Sequence, residues 1–396
     1  MALYTEPRAF VLEDELPHSS PEAIAFIADA DEHGDDPPAI RAVDRLHESA
    51  IQLTASDIHL EPTVAGGRVR LRVDGMLRES EHLSRELFHT VVSRVKLLAA
   101  MDIAERRLPQ DGRYLLKRGG RNLDARVSSM PTIAGEKLVI RLLDMQEQVP
   151  GLAALGMGPA MLAQYRRVIH AAHGFIIVCG PTGSGKTTTL YASLSERNLD
   201  GQHLCTVEDP VEVQMAGVAQ VQVNPKAGLT FASALRAFLR QDPNVIMLGE
   251  MRDAESAGVA MSAALSGQLV MTTLHASDAP RVIERLVEFG LHRTTLAAGL
   301  SAIVSQRLVR RLCQCRLRGC PRCDGSGYRG RVAIFEMLPM TGEVRSAVAR
   351  SNSVLELAKI GASAGYEPMM SEGLRMVARG ETSRSELERV LGSGEF

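Results

Sequence analysis

The sequence has no tryptophan, and 9 Phe and 6 Tyr are its whole aromatic complement in 396 residues. Few platforms remain on which unstacked bases could lie, which speaks against single-strand binding by stacking. An excess of one charge is also missing: 45 Lys and Arg against 47 Asp and Glu leave a formal net charge of -2, without the basic footprint of a nucleic-acid protein. No direct contact with nucleic acid is expected. Long apolar runs are absent as well. None approaches the roughly 18 residues that span a bilayer, and an N-terminus carrying Glu6, Glu13, Asp14 and Glu15 lacks the basic-then-apolar order of a signal peptide. The expected location is the cytosol, with no transmembrane segment. Lysine is scarce, 6 residues against 39 Arg, so each lysine is informative.

What is present is an ordinary globular composition, 45% hydrophobic and 23% charged, in a chain long enough for two or three cores. Residues 1–40 form an acidic, proline-bearing arm with a short helical candidate at 21–30. A first α+β domain is expected over 41–146. It opens with a helix around 39–53 and a strand over 57–61. Then Val69, Leu71 and Val73 alternate with Arg68, Arg70 and Arg72 before the turn signal Asp74-Gly75, which predicts a hairpin with one apolar and one guanidinium-bearing face. Helical spacing follows over Phe88–Ala99, and short strands near 123–128 and 138–142. Residues 147–158, rich in Gly and Pro, read as a linker. Beyond it, the apolar runs 175–179, 204–207, 245–248 and 269–273, separated by helical patterns, predict a parallel sheet over 159–340. Ligands of such sheets bind at the carboxyl ends of the strands. A helical part is expected over 341–396.

Gly180, Pro181, Thr182, Gly183, Ser184, Gly185, Lys186 and Thr187 fit the phosphate-loop pattern G-x-x-x-x-G-K-[ST], between an apolar run and a helical stretch that opens at Thr188. Glycines let successive N–H groups turn toward phosphates, and the helix N-terminus adds a favourable dipole. Lys186 is placed to reach the β- and γ-phosphates of ATP and Thr187 to hold Mg²⁺. The run 245–248 delivers Glu250 to the sheet edge beside the phosphates, where a carboxylate can orient or deprotonate the attacking water. Cys313, Cys315, Cys320 and Cys323 crowd into eleven residues. In a reducing compartment four thiolates suit a tetrahedral Zn²⁺ knuckle, the alternative being four unligated thiols.

Further blocks accompany these motifs. Residues 55–62, 68–75 and 107–113 resemble the N-terminal module of the secretion and pilus assembly ATPases of the type II/IV secretion superfamily. Thr206–Glu212 resembles that family's aspartate box, 239–253 its Walker B region and Thr272–Asp278 its histidine box. The order matches over about residues 50–340. The resemblance implies a RecA-like ATPase domain with a smaller N-terminal α+β domain, a four-cysteine zinc knuckle and a helical C-terminal part. It implies ATP hydrolysis by a homo-hexamer at the inner membrane, with an inner-membrane platform protein and a cytoplasmic-facing docking protein as partners, powering pseudopilus or pilus assembly.

The resemblance adds Glu208, with Glu212 beside it, as carboxylates shaping the Mg²⁺ and water site. His275 becomes a γ-phosphate sensor, a subunit contact or a structural histidine. Arg70 and Arg72, followed by Arg113, become cations that approach the nucleotide across a domain or subunit boundary. Two departures stand out. The first cysteine pair is C-x-C where the family carries C-x-x-C, and Gln268 stands where it often has a histidine, which removes a titratable charge there. Other readings are a retraction or DNA-uptake motor of the same superfamily, and a nucleotide-binding scaffold with negligible turnover.

Overall fold

Val69, Leu71 and Val73 are all at most 5% exposed on one strand face, while the intervening arginines point the other way. The computed structural model describes residues 37–145, 148–198, 201–350 and 353–392, together with a two-residue strand at 26–27. The chain divides into two compact units, Met1–Gln146 and Glu147–Phe396.

The first unit contains β1 (Phe26–Ile27), α1 (Pro38–Gln52), β2 (Asp57–Thr63), β3 (Gly66–Val73), β4 (Met76–Leu83), α2 (Arg85–Leu98), β5 (Gln110–Arg118), β6 (Arg121–Thr132) and β7 (Gly135–Asp144). Its sheet runs β1-β5-β6-β7-β2-β3-β4, antiparallel except for the β1–β5 pair. β1 lies inside the segment 21–30, where a helix was expected. The rest of that segment and most of the acidic arm fall outside the described residues. Ser84 caps α2 by accepting from the Leu87 N–H, and Phe88, Val91, Val92 and Val95 then fall on one helix face. With Ala42, Val43, Leu46 and Ala50 of α1 they cover the apolar side of the sheet.

The second unit runs α3 (Pro159–Ile169), β8 (Gly174–Cys179), α4 (Lys186–Arg197), β9 (Leu204–Glu208), β10 (Val218–Gln222), α5 (Phe231–Phe238), β11 (Val245–Leu248), α6 (Ala254–Leu265), β12 (Leu269–Leu274), α7 (Ala279–Glu288), α8 (Arg293–Gly299), β13 (Leu300–Leu312) and β14 (Tyr328–Pro339). Four helices follow: α9 (Gly342–Ala349), α10 (Val354–Ser363), α11 (Met369–Ala378) and α12 (Arg384–Leu391). The sheet order is β10-β9-β11-β12-β8-β13-β14; all neighbours are parallel except the β13–β14 hairpin. Ile177 and Cys179 of β8 enter one core with α5, α6 and α7, while Ile176 and Val178 enter another with α3 and α4. Burial on both faces is why β8 reads as an unbroken apolar run. The sheet is larger than the four strands expected. β13 and β14 are long, but polar residues such as Ser305, Gln306, Arg307 and Arg310 interrupt the apolar pattern of β13, and the cysteine loop separates the two strands.

The C-terminal helix is fastened by charge. Glu386 of α12 is fully buried and accepts from the Arg310 backbone N–H (3.0 Å) and from the guanidiniums of Arg310 (2.7 Å) and Arg389 (2.7 Å). Arg310 also lies 4.0 Å over the Tyr328 ring. Burial alone would raise the Glu386 carboxyl; the bonds from Arg389 and Arg310 overcome it and hold the group at about 2, against an ordinary 4.5. The folded value lies below the unfolded one, so the ionised group stabilises the fold fully above about pH 4.5, and that contribution disappears as pH falls toward 2. Glu386→Gln should cost roughly 2–3 kcal/mol near neutral pH. Thermal unfolding followed from pH 7 to pH 3 should show a lower midpoint for the variant at pH 7 and a narrowing gap in acid.

Candidate functional site

The phosphate loop leaves β8 at Cys179 and enters α4 at Lys186. Gly180 and Gly185 have φ of +152° and +87°, and the space a side chain would take is filled from β13. A Cβ on Gly180 would lie 2.5 Å from the Gln306 carbonyl oxygen, and one on Gly185 would lie 2.7 Å from Gln306 Nε2. Thr189 Oγ1 donates to Gln306 Oε1 at 2.7 Å, tying the first turn of α4 to the same residue. Lys186 Nζ donates to the carbonyls of Gly180 and Pro181, each at 2.9 Å, so the ammonium lies across its own loop. Burial pulls Lys186 below its ordinary value, Glu250 pushes it back up and the Arg307 charge pulls it down further. Pro181, Thr182, Gly183 and Thr188 are exposed, Ser184 is buried, and Thr187 is half-buried with a hydroxyl that no protein group engages among the described residues.

Three strand ends bring further groups to this edge. After β11, the Gly249 N–H donates to the Val207 carbonyl (2.8 Å), its carbonyl accepts from Thr273 Oγ1 (2.7 Å), and the Met251 N–H donates to the Thr273 carbonyl (3.0 Å). Glu250 is thereby fixed between the ends of β9 and β12. Its carboxylate is ion-paired with Arg252, which also reaches Asp209 at 3.2 Å. Glu208 is buried and already engaged: it accepts from the Tyr191 hydroxyl, from Thr206 Oγ1 at 2.5 Å and from Gln220 Nε2 at 3.2 Å. The Tyr191 oxygen in turn accepts from the Glu212 N–H at 3.2 Å, and burial raises its phenol. Glu208 thus anchors the loop that bears Glu212, an exposed residue. His275 is exposed just beyond β12. Gln268 precedes β12, whereas His275 follows it, so the two lie at opposite ends of the strand, separated by about 20 Å at a strand's rise per residue. The glutamine is not at the nucleotide edge.

Arg70 and Arg72 lie in the first unit, on the polar face of its sheet. Glu61 receives Arg70 at 2.6 Å, Arg68 at 3.0 Å and Lys137 at 3.3 Å, while Asp57 receives Arg141 at 3.2 Å and Arg72 at 3.4 Å. Burial would raise the Glu61 carboxyl, but the bonds from Arg70, Arg68 and Lys137 hold it at about 2. Two carboxylates thus share five cations on this face. Arg113 on β5 sits opposite Arg126 of β6.

The four clustered cysteines occupy the loop of the β13–β14 hairpin. Their sulfurs all lie within 4.8 Å of one another, with Cys313–Cys320 and Cys315–Cys323 at 3.7 Å and Cys320–Cys323 at 3.6 Å. A disulfide would need about 2.05 Å, whereas the edge of a tetrahedron with metal–sulfur bonds near 2.3 Å is about 3.8 Å. The donor set fits a four-thiolate metal site. The short C-x-C spacer is accommodated because Arg316 and Leu317, at φ of +50° and +67°, fold the chain back directly after Cys315. The Gly327 N–H donates to Cys323 Sγ at 3.3 Å.

Several groups around the nucleotide edge were not identified from the sequence: Gln306 and Arg307, Tyr191 and Gln220, and Arg252. The adjacent Gln306 and Arg307 within the largely buried β13 were the available signal, since polar residues in a buried strand need a partner. Tyr191 and Gln220 gave none, because their importance comes from contacts with Glu208 that are distant in sequence.

The type II/IV secretion system protein family model matches residues 32–389. The type II secretion system protein HxcR of Pseudomonas aeruginosa is 45% identical over 365 residues, 90% of this chain and 78% of that one. The type IV pilus assembly ATPase PilB of Myxococcus xanthus is 41% identical over 389 residues, 91% of this chain and 68% of that one. Among solved structures, the Legionella pneumophila ATPase DotB superposes with a TM-score of 0.69 at 22% identity, covering 92% of this chain and 98% of its own, which shows the shared fold. Phosphate loop, strand-end carboxylate and close relatives agree, and the chain belongs to the type II/IV secretion system protein family, as an ATP-hydrolysing member of the type II secretion and type IV pilus assembly group.

Proposed function

We propose that the chain works as a homo-hexameric motor on the cytoplasmic side of the inner membrane, hydrolysing ATP at Gly180–Thr187 to drive pseudopilus or pilus assembly. The observation that carries the catalytic part is Glu250, fixed by backbone bonds between two strand ends and close enough to lower the cost of the Lys186 charge. Gly180, Pro181, Thr182, Gly183, Ser184, Gly185, Thr187 and Thr188 form the cradle from which backbone N–H groups point at the phosphates. Lys186 leaves its loop carbonyls for the β- and γ-oxygens. Thr187, whose hydroxyl has no protein partner among the described residues, fits a ligand of Mg²⁺, which when bound supplies charge neutralisation. Glu250, released from Arg252, accepts the proton of the water that attacks the γ-phosphorus. Glu208 holds the neighbouring loop in place, and His275 faces the same edge. Arg70 and Arg72 join the reading as cations serving the transition state in the assembled ring.

Zn²⁺ is the metal best suited to four thiolates at these separations, and its role here is to close the hairpin loop. The relatives are by name a type II secretion system protein and a type IV pilus assembly ATPase, and the partners proposed for this chain are a platform protein in the inner membrane and a docking protein on its cytoplasmic face. No helix among the described residues is long and apolar enough to cross a membrane.

Lys186→Ala should lose binding of a fluorescent ATP analogue together with turnover. Glu250→Gln should bind the analogue within about threefold of the parent while phosphate release falls at least 100-fold, in line with loss of a general base. A Glu250→Gln rate equal to that of the parent would remove Glu250 from the chemistry. Protein purified without chelator should carry about one zinc per chain by atomic emission, and stripping it should speed proteolysis within 313–328. Metal-free protein with an intact loop would argue for four plain thiols. Arg70→Ala with Arg72→Ala should slow turnover in the assembled ring, and unchanged turnover would exclude both from the site.

A further inference from the structure

A half-buried guanidinium lies behind the phosphate loop. Arg307 of β13 packs so close to Gly180 that a Cβ there would lie 3.1 Å from its Nη1. That nitrogen donates to the Gln306 carbonyl at 3.0 Å, and Nη2 reaches across the end of β8 to the Ser277 carbonyl at 2.6 Å. No carboxylate lies within 4 Å of it among the described residues; its hydrogen-bond partners are neutral carbonyls of two separate segments. A half-buried charge is costly, and here one arm of the planar fork is held by the carbonyl of the preceding residue while the other ties β13 to the segment before α7, a rigid two-armed geometry that lysine lacks.

Ser277 belongs to the short stretch between His275 and α7, and that stretch is held a second time. Glu336 of β14 is 3% exposed and accepts from the Ala279 N–H at 2.8 Å, the first residue of α7. Its other oxygen accepts from the Met369 N–H at 2.9 Å, the first residue of α11, and from the Tyr366 hydroxyl at 3.3 Å. Burial raises this carboxyl above its ordinary value. Glu336 faces Ser305 directly across the hairpin and Ile334 faces Arg307, so the two charged side chains share one face of neighbouring strands. Residues 277–279 are therefore gripped from β13 through a carbonyl and from β14 through an N–H, two residues apart.

We propose that Arg307 is a positioning residue for ATP hydrolysis: it clamps the His275-bearing segment to the root of the phosphate loop, and Glu336 carries the position of that segment on to the start of α11. The proposal rests on Gly180–Thr187 being the nucleotide site. A shift of residues 275–279 on nucleotide binding then reaches the C-terminal helices through the hydrogen bonds of Glu336, a contiguous physical path. Arg307 acts on the reaction through His275 and the loop.

The test uses the full-length assembled protein carrying Arg307→Lys, Arg307→Gln or Glu336→Gln. Thermal midpoints report folding, and Lys186→Ala reports separately whether the nucleotide site itself is right. Both Arg307 variants should lose at least tenfold in kcat with KM for ATP and Kd for a fluorescent ADP analogue within about threefold, because the binding cradle is retained and only alignment is lost. Amide exchange over 276–286 should accelerate in all three variants, and over 369–373 in Glu336→Gln and in neither Arg307 variant without nucleotide. Parent-level kcat in Arg307→Lys would overturn the clamp, since lysine keeps the charge and loses the fork. A rise in KM with unchanged kcat would overturn it too, making Arg307 a phosphate-binding cation instead. Should Glu336→Gln fail to fold, the Arg307 pair decides alone.

Discussion

The nucleotide edge depends on the parallel pairing of β13 with β8. Ser305 lies in register with Cys179, the last residue before the phosphate loop, which brings Gln306 directly behind that loop. From there its carbonyl abuts Gly180, its amide nitrogen abuts Gly185, and its amide oxygen accepts from Thr189. A shift of one residue would turn Gln306 to the opposite face and put Ser305 or Arg307 in its place. The glycines of the loop thus answer two demands at once. They give the backbone the freedom that the phosphate-loop pattern calls for on one side and make room for β13 on the other.

The same edge shows where sequence pattern suffices and where it does not. Phe175–Cys179, Leu204–Val207, Val245–Leu248 and Leu269–Thr273 are strands, as their apolar runs require, because each is buried on both faces. Lys186, Glu250, Glu208 and His275 follow those strands or the loop after them, so their common edge was legible from topology. β13 was not, since burial there is shared between apolar residues and the polar groups that serve the loop. The cysteines gave away their own proximity, but not that they close a hairpin whose strands are 13 and 12 residues long. What pattern cannot supply is the state of a side chain. Glu208 looks in sequence like an available carboxylate, and in three dimensions its oxygens are engaged by Tyr191, Thr206 and Gln220. Arg70 and Arg72 look like unpaired cations and are in part neutralised by Glu61 and Asp57.

Three buried carboxylates show how differently one residue type can be compensated. Glu61 and Glu386 are surrounded by cations, which hold both at about 2 despite burial. Glu336 has backbone N–H groups and a phenol but no cation within ion-pair distance among the described residues, and burial wins, so its carboxyl rises. The first two are fastenings that hold their charge under any physiological condition. At Glu336 the hydrogen bonds favour the ionised form while desolvation opposes it, and desolvation is the larger effect. Such a group is sensitive to small movements of the helices that donate to it, which suits a joint better than a rivet.

These fastenings converge on one hairpin. At its tip the cysteine loop joins the strand ends, and just inside it Arg310 is held by Glu386 and stacked on Tyr328, whose hydroxyl bonds Ser383 at 2.6 Å. Midway, Arg307 and Glu336 grip the segment that leads into α7. Farther along, Ser305 faces Cys179. Cysteine loop, C-terminal helices and phosphate loop are thus spaced along a single pair of strands, and because a packed strand cannot slip by less than a full residue without breaking its ladder, order at the tip helps hold the register at the nucleotide. A metal bound at the tip would therefore act on the phosphate loop without touching it, by stiffening the hairpin on which Gln306 and Arg307 are mounted.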